Sequence, residues 1–150
     1  MAQCWHRSET IGYIEAHSTG TSIGDPIEVA GLTRHSLGQR HVSSALGSVK
    51  SNVGHCEAAA GMAGVLKLYF RFIINVYPRT NISWRRIGTS NLKKTPFYFV
   101  DGGRPNGDEE VCLGLRESAF GFGGTNVHVV IEEPSGRRAM RHPLLDLPAF

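Results

Sequence analysis

One segment limits the folding of this chain more than any other: residues 55–74 are predicted to form a helix that is apolar on nearly every side. The front of this segment is narrow, because alanine and glycine dominate residues 58–64, and bulky apolar side chains follow in residues 65–72. A helix that is apolar all round is normally buried in a large core. A chain of 150 residues offers little surrounding structure to cover such a helix on every side. We therefore expect the helix to expose an apolar face when the chain is alone.

The remaining pattern predicts alternating strands and helices. Short strands are expected at residues 11–15, 45–49, 97–100, 111–115 and 127–131. A helix should start after the first strand, with Asp25 as its N-cap, Pro26 in the first turn and Glu28 completing a capping box. Gly38 is expected to end that helix. The order of elements predicts an α/β fold built in layers.

The apolar face of this first helix is expected to consist of four residues that share one side of it. They are Ile27, Ala30, Gly31 and Leu32.

Composition and charge exclude several classes of protein. Apolar residues make up 41% of the chain and charged residues 19%, so a core can form and disorder is not expected. The net charge of +3 has much of its excess at Arg137, Arg138 and Arg141, which is too small and too local to indicate nucleic-acid binding. The apolar stretch at residues 62–77 is short and contains Lys67 and Arg71, so a membrane span is not expected.

The cysteines and the first residues predict a location. Cys4, Cys56 and Cys112 are sparse and lack CxxC spacing, which gives no disulfide framework. Residues 1–10 contain no apolar run typical of a signal peptide. A cytoplasmic, reducing environment is the simpler interpretation.

The first motif is Glu-Ala-His-Ser-Thr-Gly-Thr-Ser-Ile-Gly-Asp-Pro-Ile-Glu, at residues 15–28. His17 stands where a strand ends and could aim its imidazole into a cleft. Thr19 and Thr21 offer hydroxyls that could bind a polar arm of a substrate. On spacing alone, a turn with a solvated histidine is the favoured interpretation over a catalytic one.

The second motif, at residues 47–61, places Lys50 and His55 on either side of a tight turn that opens the apolar helix. The positive end of a helix dipole disfavours an imidazolium, so His55 is expected to be neutral. A neutral imidazole can donate one hydrogen bond to a developing oxyanion. The alternative is that His55 caps the helix beside a solvated Lys50.

The third motif, Phe-Gly-Phe-Gly-Gly-Thr-Asn-Val-His at residues 120–128, lies between two predicted strands. Dense glycines let backbone N–H groups approach a ligand, although a plain hairpin turn is the alternative. The spacing is not GxGxxG, so a dinucleotide site is not expected. The histidines at positions 17, 35, 41 and 55 show no zinc-ligand spacing, and no metal is expected.

Taken together, the three motifs resemble the beta-ketoacyl synthase family, and in particular the ketosynthase domains of type I polyketide synthases. The family pattern of the first motif is Glu-Ala-His-Gly-Thr-Gly-Thr followed by Gly-Asp-Pro-Ile-Glu, and this chain departs from it at Ser18. The resemblance covers residues 11–134. It leaves residues 1–10 as a non-matching segment and residues 135–150 as a basic, linker-like tail.

The resemblance implies a thiolase-like fold in which two similar halves form α-β-α-β-α layers, with this chain as the C-terminal half. His17 and His55 would be the pair that drives decarboxylation of a malonyl thioester and holds its enolate oxygen, and Lys50 would polarise the surroundings of the second histidine. The backbone N–H of Phe122 would be an oxyanion donor for the acyl carbonyl, and its ring a gate between the two substrates. Thr19 and Thr21 would contact phosphopantetheine.

The resemblance also implies partners. The substrates would be carried on the phosphopantetheine of an acyl carrier protein, with no cofactor bound by the chain itself, and the parent enzyme would be a homodimer. No nucleic acid and no membrane is implied as a partner. The activity would be that of an acyltransferase in polyketide or fatty-acid biosynthesis.

The family nucleophile lies in an Ala-Cys-Ser-Ser segment upstream of the first histidine motif, and none of the three cysteines of this chain matches it. We therefore expect the nucleophilic half to be missing and the isolated chain to be inactive in condensation. The alternative is a non-catalytic fragment that retains a dimerisation or carrier-protein docking surface. The thiolases that degrade acyl chains are a weaker third candidate, because the His-Ser-Thr-Gly-Thr pattern is typical of the condensing branch.

Overall fold

A computed structural model of the chain describes residues 11–36, 44–74, 80, 95–100 and 114–132. Within these ranges the chain forms one sheet with helices on both faces. The strands are β1 (Ile11–Glu15), β2 (Ser44–Gly47), β3 (Phe97–Phe99), β4 (Gly114–Phe120) and β5 (Asn126–Ile131). The helices are α1 (Gly24–Ser36), the single turn α2 (Lys50–Val53) and α3 (Ala60–Ile74).

The topology of the sheet decides where the functional motifs meet. The strand order is β3-β2-β1-β4-β5, in which β1 pairs in parallel with β2 and β4, and β5 is antiparallel to β4. Because parallel strands end at the same edge of a sheet, the segments that follow β1, β2 and β4 are neighbours there. Each of these segments carries one of the three sequence motifs.

Each face of the sheet buries its own apolar cluster. On the α1 face, Ile14 and Leu46 pack with Val29, while on the α3 face Tyr13 and Ala45 pack with Leu68. The predicted apolar face of α1 was wrong, since Ile27 is 66% exposed and Val29 is the buried residue. Val29 packs against the β1 residues of the core, and Leu32 is only partly buried beside it. The buried face of α1 is therefore narrower than predicted.

The start of α1 also differs from the prediction. The helix begins at Gly24, and the carboxylates expected to cap it are turned back toward the preceding loop. Asp25 accepts a hydrogen bond from the N–H of Gly20 at 3.2 Å. Glu28 accepts bonds from two N–H groups of that loop and does not complete a capping box. These carboxylates accept hydrogen bonds from the amides of a tight loop, which would otherwise lack protein acceptors.

The predicted helix over residues 55–74 is broken at its front. A short 3-10 turn (Glu57–Ala59) precedes α3, and three residues before Ala59 have positive φ: Gly54 at 84°, Cys56 at 55° and Glu57 at 43°. Left-handed backbone cannot continue a right-handed helix. His55 therefore sits in an irregular turn ahead of α3 and not at the start of a continuous helix.

Some predictions lie outside the described residues. These are the end of α1 at Gly38, the cysteines Cys4 and Cys112, and the segments 1–10 and 135–150. No helix among the described residues combines the length and the apolar character needed to cross a bilayer.

The outer face of α3 is exposed and apolar, as the sequence predicts. Met62, Leu66, Tyr69 and Phe70 are between 47% and 62% exposed, whereas Leu68 is 1% exposed. We call the four exposed residues the α3 stripe. A contiguous apolar surface of this kind marks a place where another surface is bound.

We expect Leu66→Glu and Leu68→Glu to have very different consequences. The first should change the free energy of unfolding by less than about 0.5 kcal/mol, because it alters an exposed side chain. The second should cost more than about 3 kcal/mol, because it buries a charge in the core. Chemical denaturation followed by circular dichroism measures both. Binding of a hydrophobic dye should fall in Leu66→Glu, and equal destabilisation by the two variants would contradict an exposed stripe.

Candidate functional site

His17 and His55 come together at the edge where the parallel strands end. His17 lies two residues after β1, and His55 lies in the turn before α3. Their ring centroids are 5.8 Å apart with the rings nearly perpendicular, at 87°. Both line a cavity of about 1080 Å3, which is also lined by Thr19 and Phe122. The convergence predicted from the three motifs is therefore observed.

Backbone hydrogen bonds orient the two imidazoles in the same way. The N–H of Phe120 donates to Nδ1 of His17 at 3.3 Å, and the N–H of Glu57 donates to Nδ1 of His55 at 3.1 Å. A ring nitrogen that accepts a hydrogen bond carries no proton, so the hydrogen of each neutral ring is on Nε2. The site thus holds two imidazoles whose free donors are both Nε2–H.

The Glu28 carboxylate holds the loop that carries His17 through two hydrogen bonds. Glu28 accepts from the N–H of His17 at 2.8 Å and from the N–H of Ser18 at 2.9 Å. Burial raises the pKa of Glu28, and these two hydrogen bonds oppose the rise. Charged acceptors make short, strong hydrogen bonds with backbone amides. Glu28 therefore fixes the position from which the His17 side chain projects.

The electrostatics of the site favour a neutral His17. Burial lowers the pKa of His17, and the charges of Lys50 and His55 lower it further. Burial likewise lowers the pKa of Lys50, while Glu15, Glu28 and Glu117 act against this change. Lys50 is half-buried and is the first residue of α2. Its ammonium acts on the site through its field on His17.

The remaining predicted site residues are divided between two places. Thr19 is exposed and lines the cavity with the histidines, as does the fully exposed Phe122. Thr21 lies at the start of α1, where its hydroxyl accepts from the N–H of Gly24 at 3.1 Å. The structure thus groups Thr19 with the imidazoles and uses Thr21 to hold the helix start.

Cys56, beside His55, is a free and exposed thiol. Its sulfur lies 4.0 Å from the carbonyl oxygen of Val53, so it is turned back toward α2. Among the residues with described placement, no group of three or more His, Cys, Asp or Glu side chains is arranged to hold a metal ion.

Glu15 is a buried residue whose carboxylate contacts three separate parts of the chain. Its carboxylate accepts from the Tyr13 hydroxyl at 2.8 Å and from the N–H of Val49, the residue before Lys50. Lys67 of α3 forms an ion pair with it at 2.9 Å. The carboxylate thereby joins β1, the turn that carries Lys50 and the central helix.

Sequence reasoning missed Glu15, Glu28, Phe120 and Glu117 as parts of the site. Glu28 fits the pattern of a helix cap, and Glu15 and Phe120 stand only at the ends of motifs. Glu117 had a usable signal, since a strand that buries both faces rarely carries an acidic residue without a local reason. The predicted strand, however, stops at residue 115, two residues short of it.

The chain is similar in sequence to known synthases. The family model described as "Beta-ketoacyl synthase, C-terminal domain" matches residues 1–81. The chain is 40% identical over 150 residues to polyketide synthase PksM of Bacillus subtilis, covering 95% of this chain and 4% of that protein. It is 40% identical over 134 residues to polyketide synthase ThaG of Burkholderia thailandensis, covering 82% of this chain and 2% of that protein.

The chain belongs to the beta-ketoacyl synthase family. Its fold matches a ketosynthase of the bacillaene polyketide synthase of Bacillus amyloliquefaciens with a TM-score of 0.75 and 36% identity, over 86% of this chain and 23% of that one. An oxazolomycin ketosynthase domain of Streptomyces albus matches with a TM-score of 0.78 and 36% identity, over 86% and 24%. The fold is thus the thiolase-like fold of these domains, and the chain spans about a quarter of the solved ketosynthase chains it matches.

Ser18, the departure from the family pattern, lies in backbone that favours glycine. Its φ is 37°, in the left-handed region, and the residue is 5% exposed. Its hydroxyl oxygen is buried without a hydrogen-bond partner among the described residues. The glycine of the family pattern would remove both the steric cost and the buried hydroxyl.

We expect Ser18→Gly to raise the free energy of unfolding by roughly 1–2 kcal/mol, because it relieves left-handed strain. Thr19→Gly is the matched control: Thr19 is exposed and is not among the residues with positive φ, so its replacement should destabilise slightly through the unfolded chain. Urea denaturation of both variants measures this difference. Destabilisation by Ser18→Gly equal to that of the control would show that the loop is not strained.

Proposed function

We propose that this chain supplies the decarboxylating part of a beta-ketoacyl synthase site, in which His17 and His55 hold the oxygen of a malonyl-type thioester. The observation that carries the proposal is the pair of imidazoles 5.8 Å apart, each with its Nδ1 bound to a backbone N–H. Two Nε2–H donors can then converge on one thioester oxygen.

The proposed chemistry begins with loss of carbon dioxide from the malonyl group. The electrons of the broken C–C bond pass to the thioester, and its oxygen becomes an enolate. Each fixed donor to such an oxygen lowers the activation free energy by roughly 3–4 kcal/mol in a site that excludes water. His17 suits this step, because burial and the Lys50 ammonium lower its pKa and keep it neutral.

The enolate carbon would then attack an acyl group held on a cysteine. A new C–C bond forms, the thioester bond to the cysteine breaks, and the cysteine leaves as a thiolate. We propose that this cysteine comes from a partner half, since the 150 residues contain no Ala-Cys-Ser-Ser segment. The Phe122 backbone N–H would donate to the acyl carbonyl in this step, and the exposed ring of Phe122 would be the gate between the two substrates.

The α3 stripe and the cavity support two proposed partners. The stripe has the apolar character expected of a surface that packs against an N-terminal ketosynthase half. Thr19, at the cavity, is proposed to contact the phosphopantetheine of an acyl carrier protein, and Thr21 to hold the loop on which Thr19 lies. A homodimer of the parent enzyme is part of the same proposal.

The exposed stripe also supports a second candidate, a non-catalytic chain that retains only a dimerisation or carrier-docking surface. Such a chain would bind its partner through α3 whether or not the two histidines were present. Activity that depends on the imidazoles separates the two candidates.

We expect the isolated chain to form no stable acyl-cysteine and no 3-ketoacyl product from radiolabelled acyl and malonyl thioesters. Adding an N-terminal ketosynthase half that carries the nucleophile should restore condensation, and decarboxylation in this mixture should fall about 100-fold or more in His17→Ala or His55→Ala.

His128→Ala is the matched control, because His128 of β5 does not line the cavity that holds both His17 and His55, and its Nδ1 is 2.9 Å from the Ser118 hydroxyl. It should keep near-normal decarboxylation. Labelling of Cys56 followed by 3-ketoacyl release from the isolated chain would contradict the division of the site between two halves. Equal activity of all three histidine variants would favour the non-catalytic candidate.

A further inference from the structure

Glu117 is a buried acidic residue that lines the same cavity as His17 and His55, and the proposed decarboxylation does not use it. The residue is only 5% exposed. Its Oε2 atom is buried and has no hydrogen-bond partner among the described residues. Because a buried polar atom without a partner is costly, its place in the wall of a cavity indicates that a ligand supplies the partner.

The hydrogen-bond donors nearest to this carboxyl in the fold serve Glu15, which is the register partner of Glu117 on β1. The Glu15 carboxylate holds the Tyr13 hydroxyl, the Val49 N–H and the Lys67 ammonium. These three groups stabilise Glu15, whereas Oε2 of Glu117 has no such donor within the part of the chain that the structure describes. Of the two adjacent carboxyls, Glu15 is therefore structural and Glu117 is left for a ligand.

The front of α3 makes room for this carboxyl. A Cβ atom placed on Gly64 would collide with Oε1 of Glu117. One turn earlier, a Cβ atom on Gly61 would lie 3.5 Å from the Cβ of Ala119. The two glycines thus let α3 pass close to β4, and the space left by the missing side chain of Gly64 is occupied by the Glu117 carboxyl.

The lining of the cavity around Glu117 is mostly apolar and comes from both the sheet and the front of α3. On β5, the register partner of Glu117 is the apolar Val129. Other small or apolar lining residues are Ala119, Val127, Gly61, Met62 and Val65. Binding cavities of this kind hold an apolar ligand and use a few polar groups to select it. An apolar wall with one buried carboxyl therefore fits an acyl chain that carries one polar substituent.

The position of Glu117 along β4 sets how far a substrate must extend to meet it. The N–H of Phe120 contacts the His17 ring, and Glu117 lies three residues before Phe120 on the same strand. Three residues of a strand span about 10 Å. The substituent of a malonyl group is too short for this distance. An extended acyl chain covers it in about eight bonds, since three backbone bonds of a polypeptide span at most about 3.6 Å.

A hydroxyl is the polar group that suits Glu117 in either protonation state. An ionised carboxyl only accepts hydrogen bonds and a protonated one can also donate, whereas a hydroxyl does both. Burial first, and then the charge of Glu15, raise the pKa of Glu117 to about 7, while Lys50 opposes the rise. Both forms of the carboxyl are therefore present near neutral pH. An ammonium would suit only the ionised form, and a ketone only the protonated form.

We propose that Glu117 is a specificity-determining residue that binds a hydroxyl group far along the acyl chain, about eight bonds from the thioester carbonyl. The site then prefers an acyl thioester with a distal hydroxyl over the unsubstituted chain of the same length. The inference rests on the proposed function for its catalytic meaning. The binding preference itself needs no turnover, and every residue of the cavity that it uses belongs to this chain.

The test is isothermal titration calorimetry of the full chain with three pantetheine thioesters, which carry octanoyl, 8-hydroxyoctanoyl and 3-hydroxyoctanoyl groups. The 8-hydroxyoctanoyl thioester should bind about tenfold more tightly than the octanoyl thioester, because it gives the buried carboxyl a partner. The 3-hydroxyoctanoyl thioester should bind like the octanoyl one, because its hydroxyl lies too near the carbonyl. Glu117→Val should abolish the preference, and Glu117→Gln, whose amide also accepts and donates, should keep most of it.

Glu132→Gln is the control variant, because it removes one exposed carboxylate just after β5, at the end of that strand away from the histidines. It should leave the preference unchanged. Equal affinity of the unaltered chain for the octanoyl and 8-hydroxyoctanoyl thioesters, or binding of neither, would overturn the proposal without any variant. So would a preference that Glu117→Val retains.

Addition of the N-terminal ketosynthase half separates the remaining outcomes. A preference that disappears on this addition would also contradict the role of Glu117, because a side chain of that half would then satisfy the carboxyl. A preference that persists while the histidines prove inactive in decarboxylation would contradict the proposed function alone. Active histidines without a preference would contradict only the role of Glu117.

Discussion

The geometry of this site depends on one buried carboxylate, that of Glu15. An ionised carboxylate inside a protein is very costly unless charges and hydrogen bonds compensate it. Here the compensation comes from the Tyr13 hydroxyl, the Val49 N–H and the Lys67 ammonium. These three partners belong to the strand before the first histidine, the turn that leads to Lys50 and the central helix. Meeting the needs of one charge therefore sets the relative positions of three parts of the site.

A second carboxylate, that of Glu28, extends the same principle to the loop that carries His17. It holds the backbone amides of His17 and Ser18, while the backbone amides of Phe120 and Glu57 hold the two imidazoles. The orientation of each imidazole is thus set by main-chain groups and not by a neighbouring acidic side chain. Main-chain groups vary little in position when surface side chains change, so this arrangement keeps two donors aimed together.

The sequence predicted the family, the α/β architecture and the convergence of the histidine motifs, because each motif follows a strand and parallel strands end together. It did not predict the break before α3, since positive φ at Cys56 and Glu57 is not what these residue types favour. Nor did it predict the role of Glu28. A glutamate at this position can complete a capping box or can accept from the amides of the preceding loop, and the sequence is the same in both cases. Glu117 escaped notice because its importance arises from pairing with Glu15 across 102 residues of chain, which no local pattern contains.

The proposed site requires that each imidazole, in its neutral form, carries its hydrogen on Nε2 while its Nδ1 accepts from a backbone N–H. Long-range proton–nitrogen correlation spectra of the histidine-labelled chain at pH 8 measure this directly, because they distinguish the two ring nitrogens. We expect His17 and His55 both to show a protonated Nε2 and an Nδ1 that only accepts. A protonated Nδ1 in either ring would mean that its backbone hydrogen bond is absent and that the two donors do not point to a common oxygen.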